Sequence, residues 1–179
     1  AGIRIEAGQI LNITDTATVD ISGELRDGGI HITALPATYS KADTTVVNAT
    51  VNSPVGEAKI GDTEYATLKE AIDAAKDGDV ISVLSDIVID ENTRTHNSGT
   101  WYDGIYYIGD KNFTVDLNGF TITQDGSVND YLLNFKNDGA KANTITLKNG
   151  TMDAGTAAFC ALATASSNAQ KITINTENI

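Results

Sequence analysis

Short runs in which apolar and polar residues alternate recur along the second half of the chain, and Asn-Gly closes two of them. Alternation puts residues i and i+2 on one face of a strand, so each run predicts a half-buried β-strand. Further strands are expected at 105–108, 120–123 and 131–135. The equivalent apolar positions, spaced by 34, 30 and 27 residues, are Ile81, Val115, Ile145 and Ile172. Recurrence at roughly 20 to 50 residues is typical of solenoids and propellers, and the pattern predicts an all-β parallel β-helix (a solenoid).

An amphipathic helix is predicted immediately before the first of these runs. Thr67 and Glu70 form a capping box, in which the threonine hydroxyl accepts a hydrogen bond from a first-turn amide. Gly78 stands where a left-handed residue commonly ends a helix. The apolar stripe of the helix consists of Leu68, Ala71, Ile72 and Ala75. We expect this stripe to cap the first coil, which would otherwise expose core side chains and unpaired strand edges.

Two segments carry a family resemblance. Residues 57–90 (EAKIGDTEYATLKEAIDAAKDGDVISVLSDIVID) and 115–122 (VDLNGFTI) resemble the pectin-lyase-like right-handed parallel β-helix domains of surface and secreted proteins from gut Gram-positive bacteria. The resemblance covers residues 57–179, and its motifs specify the cap and the coils rather than any chemistry. It implies a module of the kind found in adhesins and larger surface proteins, although some relatives are polysaccharide lyases or hydrolases.

Residues 1–56 are also β-rich, because alternating apolar residues recur through them. Pro54 and Gly56 interrupt this pattern and mark a boundary. We therefore predict two parts, a β-rich module at 1–56 and a capping helix with β-helix coils at 57–179. The first part is either a small sandwich-like unit or the end of a preceding solenoid, and we favour the independent unit.

Composition and charge exclude several classes of partner. The formal net charge is −12, from 24 acidic and 12 basic residues, so the chain repels nucleic acid and anionic membrane surfaces. No apolar run approaches the roughly 18 residues of a membrane span. The single cysteine, Cys160, leaves no internal disulfide to form. We expect an extracellular protein, secreted or at the cell surface. The chain opens on Ala1 without an initiator methionine, which fits a processed chain as well as a trimmed one.

The sequence contains no recognisable catalytic constellation for a polysaccharide-degrading β-helix. The basic residues that could serve one all lie outside the Asn-Gly coils. They are Arg4, Arg26, Arg94, His31 and His96. Asp116 and Asp153 lie beside corresponding strands and are the weak catalytic candidates, because a glycosidase needs two carboxylates that flank the scissile bond. Solvated strand aspartates are far commoner, so we expect a protein that is not an enzyme.

Calcium is the one cofactor that the acidic residues suggest, because carboxylate oxygens are the ligands that this hard cation prefers. The weak candidate ligands are Asp77, Asp79, Asp103 and Asp110. Their spacing does not match an EF-hand loop, and Asp77 and Asp79 also stand between a helix end and a strand start. We therefore assign no metal site, and calcium binding stays an open expectation.

An aromatic segment at 97–107 is the strongest candidate for ligand binding. It contains the only tryptophan and three of the six tyrosines. Aromatic rings can stack on the apolar faces of sugars while neighbouring polar groups bind hydroxyls. The candidate residues are Trp101, Tyr102, Asp103, Tyr106 and Tyr107. The alternative is that these rings pack over a coil or under the helix, although function concentrates in lengthened loops of this kind.

Three functions are therefore compared. The first is a non-catalytic structural or binding module of a bacterial extracellular surface protein, adhesin-like, which binds a glycan or a surface protein. The second is a polysaccharide lyase or glycoside hydrolase of the β-helix type. The third is a self-assembling subunit of an extracellular filament, joined end to end by strand pairing. We expect the first.

Overall fold

A computed structural model describes the chain in separate ranges. They are residues 2–5, 8–13, 18–20, 29–32, 36–41, 46–48, 51–52, 56–90, 104–125, 131–155, 157–163 and 171–179. Strands dominate the described residues, and one helix occurs among them. The predicted all-β class is therefore confirmed.

The strands before residue 56 pair in parallel and form three separate sets. We call each set of successively paired strands a track. These strands are β1 (Gly2–Ile5), β2 (Ile10–Ile13), β3 (Thr18–Asp20), β4 (Gly29–Ile32), β5 (Ala37–Lys41), β6 (Val46–Asn48) and β7 (Val51–Asn52). β1 pairs with β4, which pairs with β7; β2 pairs with β5, and β3 pairs with β6. Every one of these pairings is parallel.

A hairpin and the helix follow. The hairpin strands are β8 (Ala58–Ile60) and β9 (Thr63–Tyr65), joined through Gly61, which adopts φ +57°. The helix, α1 (Leu68–Ala74), begins as predicted: Thr67 is its N-cap and accepts a hydrogen bond from the Glu70 amide at 3.1 Å. A second first-turn amide, that of Leu68, donates to the Glu57 carboxylate at 2.8 Å.

The stripe of α1 is buried as predicted, but the helix ends earlier than Gly78. Leu68, Ala71, Ile72 and Ala75 are all 0% exposed, and α1 packs on β8 and β9. The C-cap is Ala75, three residues before Gly78. Gly78 has φ +88° and donates to the Asn112 carbonyl at 2.8 Å, so it forms the turn into the next strand rather than the helix terminus. The Gly78 prediction was wrong for that reason.

The remaining strands form three parallel tracks that repeat in order. They are β10 (Asp79–Val83), β11 (Ile87–Ile89), β12 (Ile105–Ile108), β13 (Phe113–Asp116), β14 (Thr121–Gln124), β15 (Tyr131–Asn137), β16 (Asn143–Lys148), β17 (Thr151–Asp153), β18 (Ala157–Ala163) and β19 (Ile172–Glu177). The tracks are β10-β13-β16-β19, β11-β14-β17 and β12-β15-β18. Each strand from β13 to β19 therefore pairs, in parallel, with the strand three before it.

The hairpin joins the first track to the strands before residue 56. β10 is antiparallel to β8, β8 to β9, and β9 to β5, so one eight-stranded mixed sheet runs from β19 to β2. Three antiparallel steps reverse the direction, and β2 and β5 therefore run opposite to β10 and β19. The hairpin is where the strand direction changes.

The core is a set of columns between these tracks, and their register differs from the sequence-based alignment. The alignment places Val115 opposite Ile145, whereas the structure pairs Val115 with Leu147 and pairs Ile145 with Ile174. The first predicted step is confirmed, because Ile81 pairs with Val115, and the two later steps are each two residues longer than expected. A slip of two residues keeps every apolar side chain on the same face of its strand, and Val115, Ile145 and Leu147 are all 0% exposed.

Asn118 and Asn149, in the two predicted Asn-Gly turns, are left-handed, and so is Asn178, which precedes Ile179 rather than a glycine. Asn118, Asn149 and Asn178 have φ of 51°, 58° and 54°. The Gly119 amide donates to the Asn149 carbonyl at 2.6 Å, and the Gly150 amide donates to the Asn178 carbonyl at 3.1 Å. Asparagine tolerates this backbone region better than other residues with a side chain, so the turns repeat without strain from one layer to the next.

Candidate functional site

The predicted aromatic site divides between described and undescribed residues. Trp101, Tyr102 and Asp103 lie outside the described residues, whereas Tyr106 and Tyr107 lie on β12. Tyr106 is 8% exposed and Tyr107 is 4% exposed. Neither of these two rings offers a face to solvent, so a stacking platform at this place would depend on Trp101 and Tyr102.

Tyr107 is a core residue with a satisfied hydroxyl. Its ring meets Phe113 edge to face, with centroids 5.1 Å apart, and Phe113 in turn packs on Phe135 at 6.4 Å. The Lys111 amide donates to the Tyr107 hydroxyl at 3.0 Å. Burial raises the pKa of Tyr107, partly offset by this hydrogen bond. These contacts indicate that Tyr107 holds β12 against β13.

β15 is buried on both of its faces. Leu132, Leu133, Asn134 and Phe135 are each 2% exposed or less. Successive side chains of a strand point to opposite sides, so both sides of the β12-β15-β18 track are covered at this point. Tyr106 pairs in register with Asn134, which places it on the covered outer side.

Gly104 fixes the point at which the aromatic segment enters β12. Its φ is +116°, and a Cβ there would overlap the Tyr131 carbonyl oxygen and lie 2.9 Å from that of Leu132. Only glycine combines this backbone angle with so close an approach. The chain is therefore held against the start of β15 at Gly104.

A cluster of charged and amide side chains lies at the turns before β10, β13 and β16, and we call it the corner cluster: Asp77, Asp110, Asn112 and Lys141. Asp77 Oδ1 accepts from the Asn112 amide at 2.7 Å and from its Nδ2 at 3.1 Å. Lys141 Nζ lies 2.5 Å from Asp77 Oδ2. The hydrogen bond from Lys141, followed by that from the Asn112 backbone, lowers the pKa of Asp77 to about 2.

The second carboxylate of the corner cluster, Asp110, is held by backbone. Its Oδ2 accepts from the amides of Ala140 and Lys141 at 2.9 and 3.2 Å. Gly139 packs so closely that a Cβ there would overlap the Asp110 carboxyl group. The corner cluster thus connects three successive turns through hydrogen bonds and an ion pair. These contacts indicate a structural role, in which the side chains hold neighbouring turns together.

Three of the four candidate calcium ligands accept hydrogen bonds from other groups of the protein. Asp77 and Asp110 are engaged as described, and Asp79 Oδ2 accepts from the Lys76 amide at 2.7 Å. Asp103 lies outside the described residues. Within the part of the chain that the structure describes, no three His, Cys, Asp or Glu side chains are grouped as a metal would require. Calcium binding stays a prediction.

The two catalytic candidates are not cross-strand partners. Asp116 is on β13 and pairs in register with Lys148, whereas Asp153 is on β17 and pairs with Thr123. Asp116 accepts from the Asn118 amide at 3.0 Å and from Asn149 Nδ2 at 3.1 Å. Partial burial alone would raise the pKa of Asp116, but these hydrogen bonds and nearby Lys148 lower it overall. A general acid needs a raised pKa, whereas the pKa of Asp116 is lowered.

Sequence reasoning missed the asparagines that open β13 and β16. Asn112 Oδ1 accepts from the Thr144 amide at 2.8 Å, and Asn143 Nδ2 donates to the Lys111 carbonyl at 3.1 Å. The buried Asn137 adds a bond from its Nδ2 to Asn143 Oδ1 at 2.8 Å. The available signal was a polar residue immediately before each apolar alternation, at a spacing close to that of the strands.

Comparison of the chain with protein-family models, curated proteins and solved structures finds no match. Among the described residues, no helix has the length and apolar character needed to cross a membrane.

Proposed function

We propose that residues 57–179 form a parallel β-helix capped by α1, and that it serves as a non-catalytic binding module of a bacterial extracellular surface protein. The observation that supports this proposal most strongly is the order of strand pairing. Three consecutive strands belong to three different tracks, and the next three strands pair with them in the same order and in parallel. This is the pairing that a chain wound repeatedly around three faces requires. The parallel tracks of β1 to β7 favour the same kind of winding before residue 56.

The hydrogen bonds that three aspartates accept support a non-catalytic module. Asp77, Asp110 and Asp116 each accept two or more hydrogen bonds from neighbouring turns. Carboxylates engaged in this way hold adjacent layers together. If any of these carboxylates turned towards a substrate to transfer a proton, the backbone amides that donate to it would lose their acceptor. These carboxylates therefore favour a scaffold over an acid–base pair.

The length of one connection supports binding at the aromatic segment. In the first layer, residues 90–104 join β11 to β12, whereas the equivalent connections are residues 125–130 and 154–156 in the next two layers. Loops that exceed what the connection needs are where binding residues concentrate. We therefore assign Trp101 and Tyr102 as the contacts to a glycan or to a surface protein of a host or neighbouring cell.

The test measures binding and turnover on the same samples. The full chain is applied to immobilised host and bacterial glycans, and is incubated with pectin and alginate while unsaturated products and reducing ends are assayed. We expect binding without product, and at least tenfold weaker binding for Trp101→Ala. Tyr65→Phe, which keeps a ring far along the chain from the segment, is the matched control. Release of product by the parent chain would overturn the proposal.

A further inference from the structure

Two turns of the chain contain the pair of residues from which asparagine deamidates most readily. The sequence has two Asn-Gly pairs, Asn118-Gly119 and Asn149-Gly150. Asparagine is among the chemically labile residues of proteins. A following glycine has no side chain to shield its amide nitrogen or to restrict rotation of the backbone. Both turns therefore carry the groups that this reaction needs.

Deamidation is an internal reaction of the chain in which water is the only other reactant. The glycine nitrogen loses its proton and attacks Cγ of the preceding asparagine. The Cγ–Nδ2 bond then breaks, and ammonia leaves after taking up a proton. Water opens the resulting succinimide at one of its two carbonyls, which gives aspartate or isoaspartate. The glycine nitrogen must therefore be free of its hydrogen bond and able to turn towards the side chain.

In the folded chain both glycine nitrogens donate to the next layer. The Gly119 amide donates to the Asn149 carbonyl at 2.6 Å, and the Gly150 amide donates to the Asn178 carbonyl at 3.1 Å. A backbone amide held in this way becomes available only when the structure around it opens. Each nitrogen is therefore kept from attack by the turn that follows it in the stack.

The Asn149 side chain is held as well. Its Nδ2, which belongs to the group that would leave, donates to Asp116 Oδ1 at 3.1 Å, and its Oδ1 accepts from Asn178 Nδ2 at 3.2 Å. Asn149 is half-buried, whereas Asn118 is exposed. At Asn149 both the attacking nitrogen and the carboxamide are thus fixed by neighbouring turns, so this site should be the better protected of the two.

We propose that Asn118 and Asn149 are sites of spontaneous deamidation that the stacked turns hold unreactive, and that local opening of the turn at Asn178 makes Asn149 reactive. The protection comes from hydrogen bonds between layers, so it is lost one turn at a time. Neither site depends on the aromatic segment or on the binding of a glycan.

Deamidation at position 149 would also weaken the contact that had protected it. A carboxylate there replaces the Nδ2 donor with an oxygen that faces Asp116, so a hydrogen bond becomes a repulsion between like charges. Lys148 Nζ, which lies 3.4 Å from Asp116 Oδ2, offsets part of this repulsion. Isoaspartate adds a methylene group to the backbone of the turn. Because neither product returns to asparagine, an opened layer that has reacted stacks less well afterwards.

A pair of substitutions at Asn178 tests the local protection. Asn178 has φ +54°, a conformation that a β-branched residue strongly disfavours and that glycine adopts freely. Asn178→Val should therefore move the carbonyl that holds the Gly150 amide. Asn178→Gly removes the same side chain but keeps the backbone conformation, and it is the matched control. Circular dichroism establishes that both variants are folded before their rates are compared.

Peptide mapping by mass spectrometry during incubation at pH 8 measures the rate at each turn. We expect deamidation of the folded parent to be at least tenfold slower at both turns than in the same chain unfolded in urea. Asn178→Val should speed the reaction at Asn149 at least fivefold relative to Asn178→Gly and leave Asn118 unchanged. Equal rates in folded and unfolded chains, or equal rates at Asn149 in the two variants, would overturn the proposal. Equal acceleration at both turns would overturn it as well, because the opening would then not be local.

The consequence of the reaction is measured with variants that imitate its product. Asn149→Asp should lower the melting temperature by about 2–4 °C at neutral pH, since it removes one hydrogen bond and adds repulsion. Asn118→Asp, which adds the same charge at the exposed turn, should lower it by less than about 1 °C. A loss at Asn118→Asp as large as that at Asn149→Asp would contradict the role of the Asn149–Asp116 contact.

Discussion

Truncation of Ile72 tests whether the helix is part of the core. Ile72 is 0% exposed on a helix of seven residues. Isolated helices shorter than roughly 12 residues are marginal in water, so α1 depends on its packing. Ile72→Ala removes apolar atoms from a fully buried position, where such changes cost about 2–5 kcal/mol. We expect about 3 kcal/mol, because α1 packs on β8, β9, β10 and β12 and these cannot all close the gap.

Urea unfolding followed by circular dichroism at 25 °C measures this value. Val80→Ala is the control, since it truncates a side chain that is 45% exposed and should change the free energy of unfolding by less than about 1 kcal/mol. Domains of this size are stable by about 5–15 kcal/mol, so the loss should be visible as a shifted midpoint. An Ile72→Ala midpoint equal to that of the parent would refute the packing of α1.

Ile72→Asp adds a pH signature to the same test. A carboxyl group placed at a fully buried apolar site has a raised pKa, because burial disfavours its charged form. Its folded-state pKa then exceeds its unfolded value, so the variant loses stability as pH rises through the interval between the two. The variant should therefore fall further below the parent at pH 7 than at pH 4. An equal gap at both pH values would place residue 72 in solvent.

Two further predictions concern the turns. The pKa of Asp77 is held at about 2, below its ordinary 3.8, by Lys141 and Asn112; its contribution to stability is present above about pH 4 and is lost as pH falls towards 2. Acid unfolding should therefore be less steep in Asp77→Asn over that interval, and an identical acid profile would contradict the assignment. Gly104→Ala should cost more than 2 kcal/mol by urea unfolding, because φ is +116° and the Cβ would overlap a backbone oxygen. Gly61→Ala, at φ +57° with open space around it, should cost about 1 kcal/mol, and equal losses would contradict the close approach at Gly104.

The positions of the strands could be predicted because alternation is a local signal. The runs at 105–108 and 131–135 are strands in the structure, and the capping residue Thr67 was identified from its spacing to Glu70. β5 was missed because its sequence, ATYSK, does not show the alternation of apolar and polar residues from which the other strands were predicted. The β8–β9 hairpin was missed as well, although Ile60-Gly61-Asp62 contains a turn residue between two short runs.

Apolar spacing predicted the first pairing, Ile81 with Val115, but it could not determine the register of the two later steps. Ile145 and Leu147 are both inward-facing and both 0% exposed, so either one satisfies the pattern opposite Val115. The choice depends on turn lengths, which the left-handed asparagines fix. The asparagine column is visible in the sequence at 118, 149 and 178, and aligning those residues would have come within one residue of the observed pairing at the second step.

The candidate site was the least predictable part. An exposed loop and a covered strand have the same aromatic composition, and what separates them is burial by segments distant in sequence. Tyr107 is buried and its ring packs on Phe113, which packs on Phe135. Tyr106 is buried as well, beside Asn134 of β15, a strand that is buried on both faces.

Disulfide formation between paired cysteines tests the parallel register most directly. Parallel pairing sets Thr114 opposite Thr146 and Asp116 opposite Lys148. Adjacent strands lie about 4.8 Å apart, within the range of Cα separations that a disulfide spans. In a Cys160→Ala background, we predict rapid oxidation of Thr114→Cys with Thr146→Cys, and of Asp116→Cys with Lys148→Cys. Preferential oxidation of Thr114→Cys with Lys148→Cys would indicate antiparallel strands, and of Thr114→Cys with Thr144→Cys the alternative register; either result would contradict the parallel pairing described above.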